Sequence, residues 1–341
     1  IRAARRLIAG ELARTPCLKA PRLSALAGAD IVVKYETMHA TGSFKERGAV
    51  VKLSSLTPDE RRRGVIAMSA GNHAQAVAYH AGRLGIPATI VMPDGTPLVK
   101  IENTRGYGAR VLLYGETLAE SQTEAKRIAA EEGLVLVHPY DDARIMAGQG
   151  TVALEMLEDY PDLDMLVIPL GGGGLGAGNA IAAKAIKPNI EIIGVEAESF
   201  ASFDNALRHR ARPIGGATLA EGIAVKNVGA LTLPVVQELF SDVICVGETQ
   251  IEDAINIFAT YQRVMTEGAG ATALAAVLAE PERFRGKKVG LVLTGGNIDA
   301  RMLASIMVRA LERADRIVSF RITTSDRPGL LGKIATRLGE L

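Results

Sequence analysis

The feature that most narrows the possible folds is a recurring alternation. Short apolar, β-branched runs return along the chain with helical stretches between them: IVVKYE (31–36), VIAM (65–68), ATIVM (88–92), RVLLY (110–114), LVLV (134–137), MLVIPL (165–170), IEIIGV (190–195), DVICV (242–246) and KVGLVLT (288–294). Several are apolar throughout, the pattern of strands buried on both faces of a parallel sheet. Segments between them, such as GETLAESQTEAKRIAAEEG and TQIEDAINIFATYQRVM, space their apolar residues at helical intervals. Such repetition predicts an α/β fold with right-handed crossovers. The units are too many for one compact sheet, and 341 residues allow about two domains. The sequence therefore predicts two open parallel-sheet α/β domains with a cleft between them. The larger is expected to take residues 1–37 and 141–315, the smaller 38–140. Beyond 315 the pattern changes: RIVSFRITT alternates like a half-buried strand, DRPG reads as a turn and LLGKIATRLGEL as a helix. Residues 316–341 are too few to hold a core and read as the beginning of a truncated third module.

Composition excludes several classes of function. Lys plus Arg number 39 against 38 Asp plus Glu, a net charge of +1. That balance leaves no electrostatic footprint for nucleic acid or a lipid surface. Aromatics are 4% with no Trp, which argues against a base-stacking platform. Cys17 and Cys245 lie far apart without a CxxC, and His39, His73, His80, His138 and His209 form no HExxH. A disulfide scaffold and a zinc site are both disfavoured. No apolar run reaches membrane-span length, and the first residues lack a signal-peptide core. A cytoplasmic protein acting on a small molecule, with no nucleic-acid or membrane partner, is expected.

Four stretches carry chemistry. In TGSFKERGA (41–49), Ser43 followed three residues later by Glu46 reads as a capping box that starts a helix. Lys45 would then sit in the first turn, where the dipole disfavours a cation and pushes the amine towards the neutral form a Schiff base needs. A solvated helix lysine is the plain alternative. SAGNH (69–73) places small residues at a strand-to-helix turn, exposing main-chain N–H groups to an anion such as a carboxylate. Otherwise it is an ordinary loop with Asn72 as a cap and His73 on a helix surface. GGGGLGAG (171–178) follows a strand and precedes a helix, and four successive glycines let bare main chain wrap a phosphate. It also satisfies GxGxxG through Gly171, Gly173 and Gly176, with Glu191 twenty residues on and Glu196 ending the next strand, so a dinucleotide site competes. LTGGN (293–297) again ends a strand and opens a helix, with the Thr294 hydroxyl facing a cleft or serving only as a cap. Glu267 in EGAGA begins a further helix, where a carboxylate suits the dipole. A lysine nucleophile, a carboxylate cradle, a phosphate cradle and a neutral hydroxyl for a ring nitrogen together describe pyridoxal phosphate carrying an amino acid. NAD would leave the lysine and SAGNH without a role.

These motifs identify the resemblance. TGSFKERGA, SAGNHAQAVA, HPYDDARIMAGQGTVALE, GGGGLGAG, LAEGIAVKNVG, EGAGA and LTGGNID resemble, in order and spacing, the blocks of the threonine/serine ammonia-lyases. These are fold-type II, tryptophan-synthase-β-like enzymes that use pyridoxal phosphate. The tail resembles the start of an amino-acid-sensing ACT domain, which implies an amino-acid effector. The resemblance implies that Lys45 holds the cofactor and removes the Cα proton, and that Phe44 stands against the ring. It implies that Asn72 bonds the ring 3-hydroxyl, that Gly171, Gly172, Gly173, Gly174 and Leu175 wrap the phosphate, and that Thr294 faces the ring nitrogen. Gly222 and Glu267 would line the cofactor, and Ser69, Ala70, Gly71, Asn72 and His73 would hold the substrate carboxylate. The cofactor phosphate is the expected acid for loss of the β-hydroxyl. Related serine racemases carry Ser at the position of Ala70, so elimination is favoured over racemisation. Glu196, Phe200 and Ser202 match a cation site, where the absence of a second acid suggests a monovalent ion. The implied activity is deamination of L-threonine, and of L-serine, by a homodimer or homotetramer. Serine racemase and other β-elimination or replacement enzymes of the same fold are the alternatives, with an NAD-dependent oxidoreductase behind them.

Overall fold

The computed structural model describes residues 1–340; Leu341, the last residue of the expected third module, lies outside the described residues. Two sheets organise the chain. The first has six strands in the order β1 (Cys17–Lys19), β2 (Asp30–Tyr35), β10 (Lys288–Leu293), β7 (Met165–Pro169), β8 (Glu191–Ala197) and β9 (Asp242–Val246). The second has four, β5 (Arg110–Leu113), β4 (Ala88–Met92), β3 (Val65–Met68) and β6 (Val135–Leu136). Every pairing is parallel except that of β1, an antiparallel edge strand on β2 that the sequence pattern did not predict.

The uninterrupted apolar runs have a direct physical cause. Successive residues of a strand face opposite sides, and both sides of each sheet are covered. Ile31, Val33, Val167 and Leu291 share a core with Ala271, Leu274 and Val277 of the helix Gly268–Ala279. Val32, Leu166, Ile168 and Val292 face the other way, onto the helices Thr151–Asp159 and Gly174–Ile186. In the smaller sheet Val65, Ala67 and Ile90 meet the helices Lys45–Ser54 and Asn72–Arg83, while Ile66 and Val91 meet Leu118–Glu132. Each fully buried aliphatic side chain contributes roughly 1.5–3 kcal/mol.

Two expectations require correction. Residues 316–328 form no strand: no neighbouring strand offers RIVSFRITT a ladder, and Val318, Phe320 and Ile322 are exposed. The helix Leu330–Gly339 that follows buries no residue. The Ser43–Glu46 capping box also does not form. The helix begins at Lys45, and Ser43 Oγ has no partner among the described residues. The Glu46 carboxylate instead accepts from the Thr41 N–H and bonds His80 Nε2 at 2.9 Å. The same signature does form on two exposed helix starts, Thr57/Glu60 and Thr117/Glu120. Among the described residues no helix is long and apolar enough to cross a membrane.

Candidate active site

The C-terminal ends of the parallel strands are where an α/β protein can place ligand-binding loops. Ser69–Gly71 follow β3, Gly171–Gly173 follow β7 and Thr294 follows β10. Lys45 arrives by a different route, through the segment between β2 and the helix Lys45–Ser54. That segment is tied to the end of β10 by main-chain bonds, Phe44 N–H to Thr294 O (3.0 Å) and Gly296 N–H to Gly42 O (2.9 Å). Asn297 adds a bond from Nδ2 to Thr41 O at 2.7 Å. TGSFK and TGGN, some 250 residues apart in sequence, thus form one strap that fixes Lys45 beside Thr294.

Lys45 Nζ donates to the Pro139 carbonyl at 2.8 Å and lies 5.2 Å from the centre of the Phe44 ring. Burial of the amine lowers its pKa to about 8, with the Glu267 carboxylate pulling the other way. Glu267 precedes the first residue of Gly268–Ala279, and burial raises it to about 7 against the opposing bond from Asn72. Asn72 is gripped from both sides: its Nδ2 donates to Glu267 Oε1 and its Oδ1 accepts from Asn297 Nδ2, each at 2.7 Å. Asn72 is therefore the first helical residue and not a cap; the cap position is Gly71. Gly222 lies close by, where an added Cβ would come within 3.4 Å of Glu267 Oε1.

His73 offers the loop only its main chain. Its imidazole is buried, bonded to the Val137 carbonyl at 2.9 Å, and burial lowers its pKa to about 3. TGGN opens no helix, because the next helix starts at Ala300 under a cap from Asp299. Thr294 is buried at the strand end and caps nothing.

The glycine loop has no room for side chains. An added Cβ would run into the Tyr140 ring at Gly172, into Thr232 Oγ1 (2.6 Å) at Gly173 and into Gln149 Oε1 (2.8 Å) at Gly174. Gly173 also holds φ +91°, a conformation that glycine tolerates without steric cost. Bare main chain thus leads into the N-terminus of a 13-residue helix, Gly174–Ile186, a site suited to an anion. The dinucleotide alternative finds neither acid free: Glu191, at the start of β8, is paired with Lys287 at 2.9 Å, and Glu196, near its end, is buried and bonded by the Phe203 and Asp204 N–H groups. The cation expectation falls on a different arrangement. The Glu196 carboxylate accepts from Phe203 N–H (2.8 Å) and Asp204 N–H (2.9 Å), and the Ser202 hydroxyl donates to the Val225 carbonyl at 2.5 Å. Phe200 is buried in a short 3₁₀ turn, Glu198–Phe200. Among the described residues, three or more His, Cys, Asp or Glu side chains nowhere gather as a metal site would require.

Sequence reasoning gave no role to Asn297, Tyr140 or the Pro139 carbonyl. Asn297 was within reach, since a second amide three residues past Thr294 in LTGGN is available to brace Asn72. Tyr140 carried no local signal. It meets Gly172 only through tertiary packing, with its hydroxyl donating to the Asn227 carbonyl at 3.0 Å.

A lysine amine held at the strand ends beside a bare glycine loop defines a class, and the chain belongs to it: the pyridoxal-phosphate dependent enzyme family, whose profile matches residues 8–295. Within that family the chain is 43% identical to the L-threonine ammonia-lyase of Thermotoga maritima, covering 100% of this chain and 85% of that protein. It is similar in structure to processed threonine deaminase isoform 2 of Solanum lycopersicum, with TM-score 0.83, 37% identity, and coverage of 88% of this chain and 84% of that one. Maize serine racemase is also similar, with TM-score 0.84, 35% identity, and coverage of 92% and 97%.

Proposed function

We propose that this chain is a pyridoxal-phosphate-dependent ammonia-lyase that converts L-threonine to 2-oxobutanoate and ammonia, and L-serine to pyruvate and ammonia. The observation that carries this reading is a lysine amine, lowered to about 8, at the same strand ends as a loop of bare peptide N–H groups. Threonine ammonia-lyases 43% and 39% identical over 100% and 96% of the chain support the choice of substrate.

The residues fit the cofactor. Lys45 Nζ is the amine for its aldehyde, and the main chain of Gly171, Gly172, Gly173, Gly174 and Leu175 takes its phosphate. Asn72, held by Glu267 and Asn297, would offer its carboxamide to the ring 3-hydroxyl. Thr294 would give the ring nitrogen a neutral hydroxyl, Phe44 would stand against the ring, and Gly222 and Glu267 would line the cofactor. When bound, pyridoxal phosphate supplies an aldehyde for the substrate amine and a conjugated ring that spreads the charge left at Cα. Ser69 to His73 hold the substrate carboxylate with main-chain N–H groups at the start of a 12-residue helix. Lys45 Nζ, released as a free amine once the substrate amine takes its place on the aldehyde, would then take the Cα proton. A pKa near 8 gives it a usable neutral fraction at neutral pH, where an ordinary lysine has almost none. Ala70 has no proton to exchange at the cradle, so the residues favour loss of the β-hydroxyl over inversion at Cα. Racemisation is the second reading, favoured by the likeness to maize serine racemase.

Product analysis separates the two. With added cofactor, threonine should give ammonia and 2-oxobutanoate in equal amounts, and serine should give ammonia and pyruvate. D-serine without ammonia would establish the racemase reading, and no product from either amino acid would refute both.

The finer parts of the proposal have their own support. A monovalent cation at Glu196, Phe200 and Ser202 rests on a buried carboxylate whose hydrogen bonds, among the described residues, come from main-chain N–H groups. Location in the cytoplasm rests on two free cysteines, Cys17 and Cys245. An amino-acid effector at 316–341 and assembly into dimers or tetramers rest on the apolar side chains that the tail leaves exposed, Val318, Phe320 and Leu331.

A further inference from the structure

No residue of the tract AGQGT (147–151), part of the block HPYDDARIMAGQGTVALE, has a role in the proposed chemistry. Gln149 ends the helix Ala143–Gln149 and is 1% exposed, yet among the described residues neither Oε1 nor Nε2 has a hydrogen-bond partner. A carboxamide stripped of water and left unbonded is destabilising on both its donor and its acceptor. Such a group is expected to persist where it gains a partner in the working state. Its neighbours indicate which. A Cβ on Gly148 would strike the Arg47 carbonyl, in the helix that begins with Lys45. A Cβ on Gly150 would strike the Gly178 carbonyl, in the helix that follows the glycine loop. The two glycines let both helices close on Gln149. Its Nε2 is 3.2 Å from the Cβ position of Gly48, and its Oε1 is 2.8 Å from that of Gly174. The carboxamide therefore spans the gap between the lysine-bearing helix and the first turn of the glycine-loop helix.

We propose that Gln149 is a positioning residue for the anionic end of the bound cofactor. A half-turn about the last side-chain bond exchanges N and O and faces the amide donor to Gly174. There it adds a hydrogen bond to the phosphate held by Gly171–Gly174 and sets the spacing between that phosphate and Lys45. This rests on the proposed cofactor, and the test keeps the two claims apart.

Cofactor-free protein is titrated with pyridoxal phosphate and, separately, with pyridoxal, which lacks the phosphate, following visible absorbance. Gln149→Leu should weaken pyridoxal phosphate by roughly 10-fold or more, the scale of one bond to a charged group, and leave pyridoxal within about twofold. The thermal midpoint of the cofactor-free variant should equal or exceed that of the parent, because an unpaired buried amide has been removed. Gln149→Glu keeps the shape, places a negative charge at the same point and should weaken pyridoxal phosphate still further. Unchanged affinity for pyridoxal phosphate, equal losses for both ligands, or a cofactor-free midpoint of Gln149→Leu below that of the parent would overturn the proposal. A parent protein that develops no absorbance would sink the cofactor reading and this inference together; a normal parent with an unaffected variant would sink this inference alone.

Discussion

Arg47 lies two residues beyond Lys45 on the same helix and anchors that helix from below. It is 1% exposed and donates to Glu36 at 2.7 and 2.9 Å, to Glu155 at 2.7 and 2.8 Å, and to the hydroxyls of Thr151 and Thr15. Lys34 donates to Glu155 at 2.6 Å, and His39 bonds Glu36 at 3.1 Å. In Arg47→Met, Glu155 keeps Lys34, but Glu36 keeps only Thr15 and His39. The variant buries a carboxylate without its compensating cation, a loss of about 3–5 kcal/mol. Its pH dependence follows from the shifts. Burial would raise the Glu36 carboxyl, but Arg47 and His39 hold it well below the ordinary carboxylate range. In the parent, Glu36 therefore contributes stability that is present above its unfolded pKa and lost as pH falls through the folded value. Without Arg47 the burial effect prevails and the folded pKa rises above the unfolded one, so the variant loses stability as pH rises. The deficit should be full at neutral pH and shrink as pH is lowered towards the ordinary carboxylate pKa of about 4.3. Urea denaturation of parent and variant at neutral and mildly acidic pH measures it. A deficit below about 1 kcal/mol, or one that does not change with pH, would refute the reasoning.

Three other predictions concern the site itself. The rate at which cofactor-free protein develops visible absorbance with pyridoxal phosphate should rise with pH through a midpoint near 8; a midpoint near the free-lysine value of 10.5 would mean that Lys45 is not shifted. Burial raises Glu267 to about 7, so its contribution to stability is present at low pH and lost as pH rises through that value; the thermal midpoint of Glu267→Gln should lack this component of the parent's decline, and identical pH profiles would count against it. Gly173→Ala must place a Cβ at φ +91° within 2.6 Å of Thr232 Oγ1. It should lose roughly 1–2 kcal/mol from backbone conformation alone, and weaken pyridoxal phosphate more than pyridoxal in the same absorbance titration.

Most of the fold was legible because both faces of each sheet are covered, which writes the strands into the sequence as continuous apolar runs. The same physics hides β1, three residues at an edge with the burial pattern of only one interior position. It also explains the tail, where RIVSFRITT has the alternation of a strand but no edge to pair with. Ser43 and Glu46 show how a local rule loses to burial. Thr57/Glu60 and Thr117/Glu120 obey the capping signature in solvent, whereas Glu46, enclosed beside His80, is bound there instead. Within the candidate site, residues proposed to act through their own chemistry, such as Lys45 and Thr294, stand in motifs that the sequence displays locally. Contacts across the fold are different: Asn297, which reaches Asn72, stands in LTGGN, but Tyr140 meets Gly172 over a separation that no local pattern encodes.

The most direct test of the account is chemical. Protein incubated with pyridoxal phosphate is reduced with borohydride, digested and mapped by mass spectrometry, which fixes the cofactor to whichever amine held it. The cofactor should be found on the peptide containing Lys45, and Lys45→Ala should carry none while losing ammonia release from threonine. Label on a different lysine, or undiminished turnover in Lys45→Ala, would contradict the account.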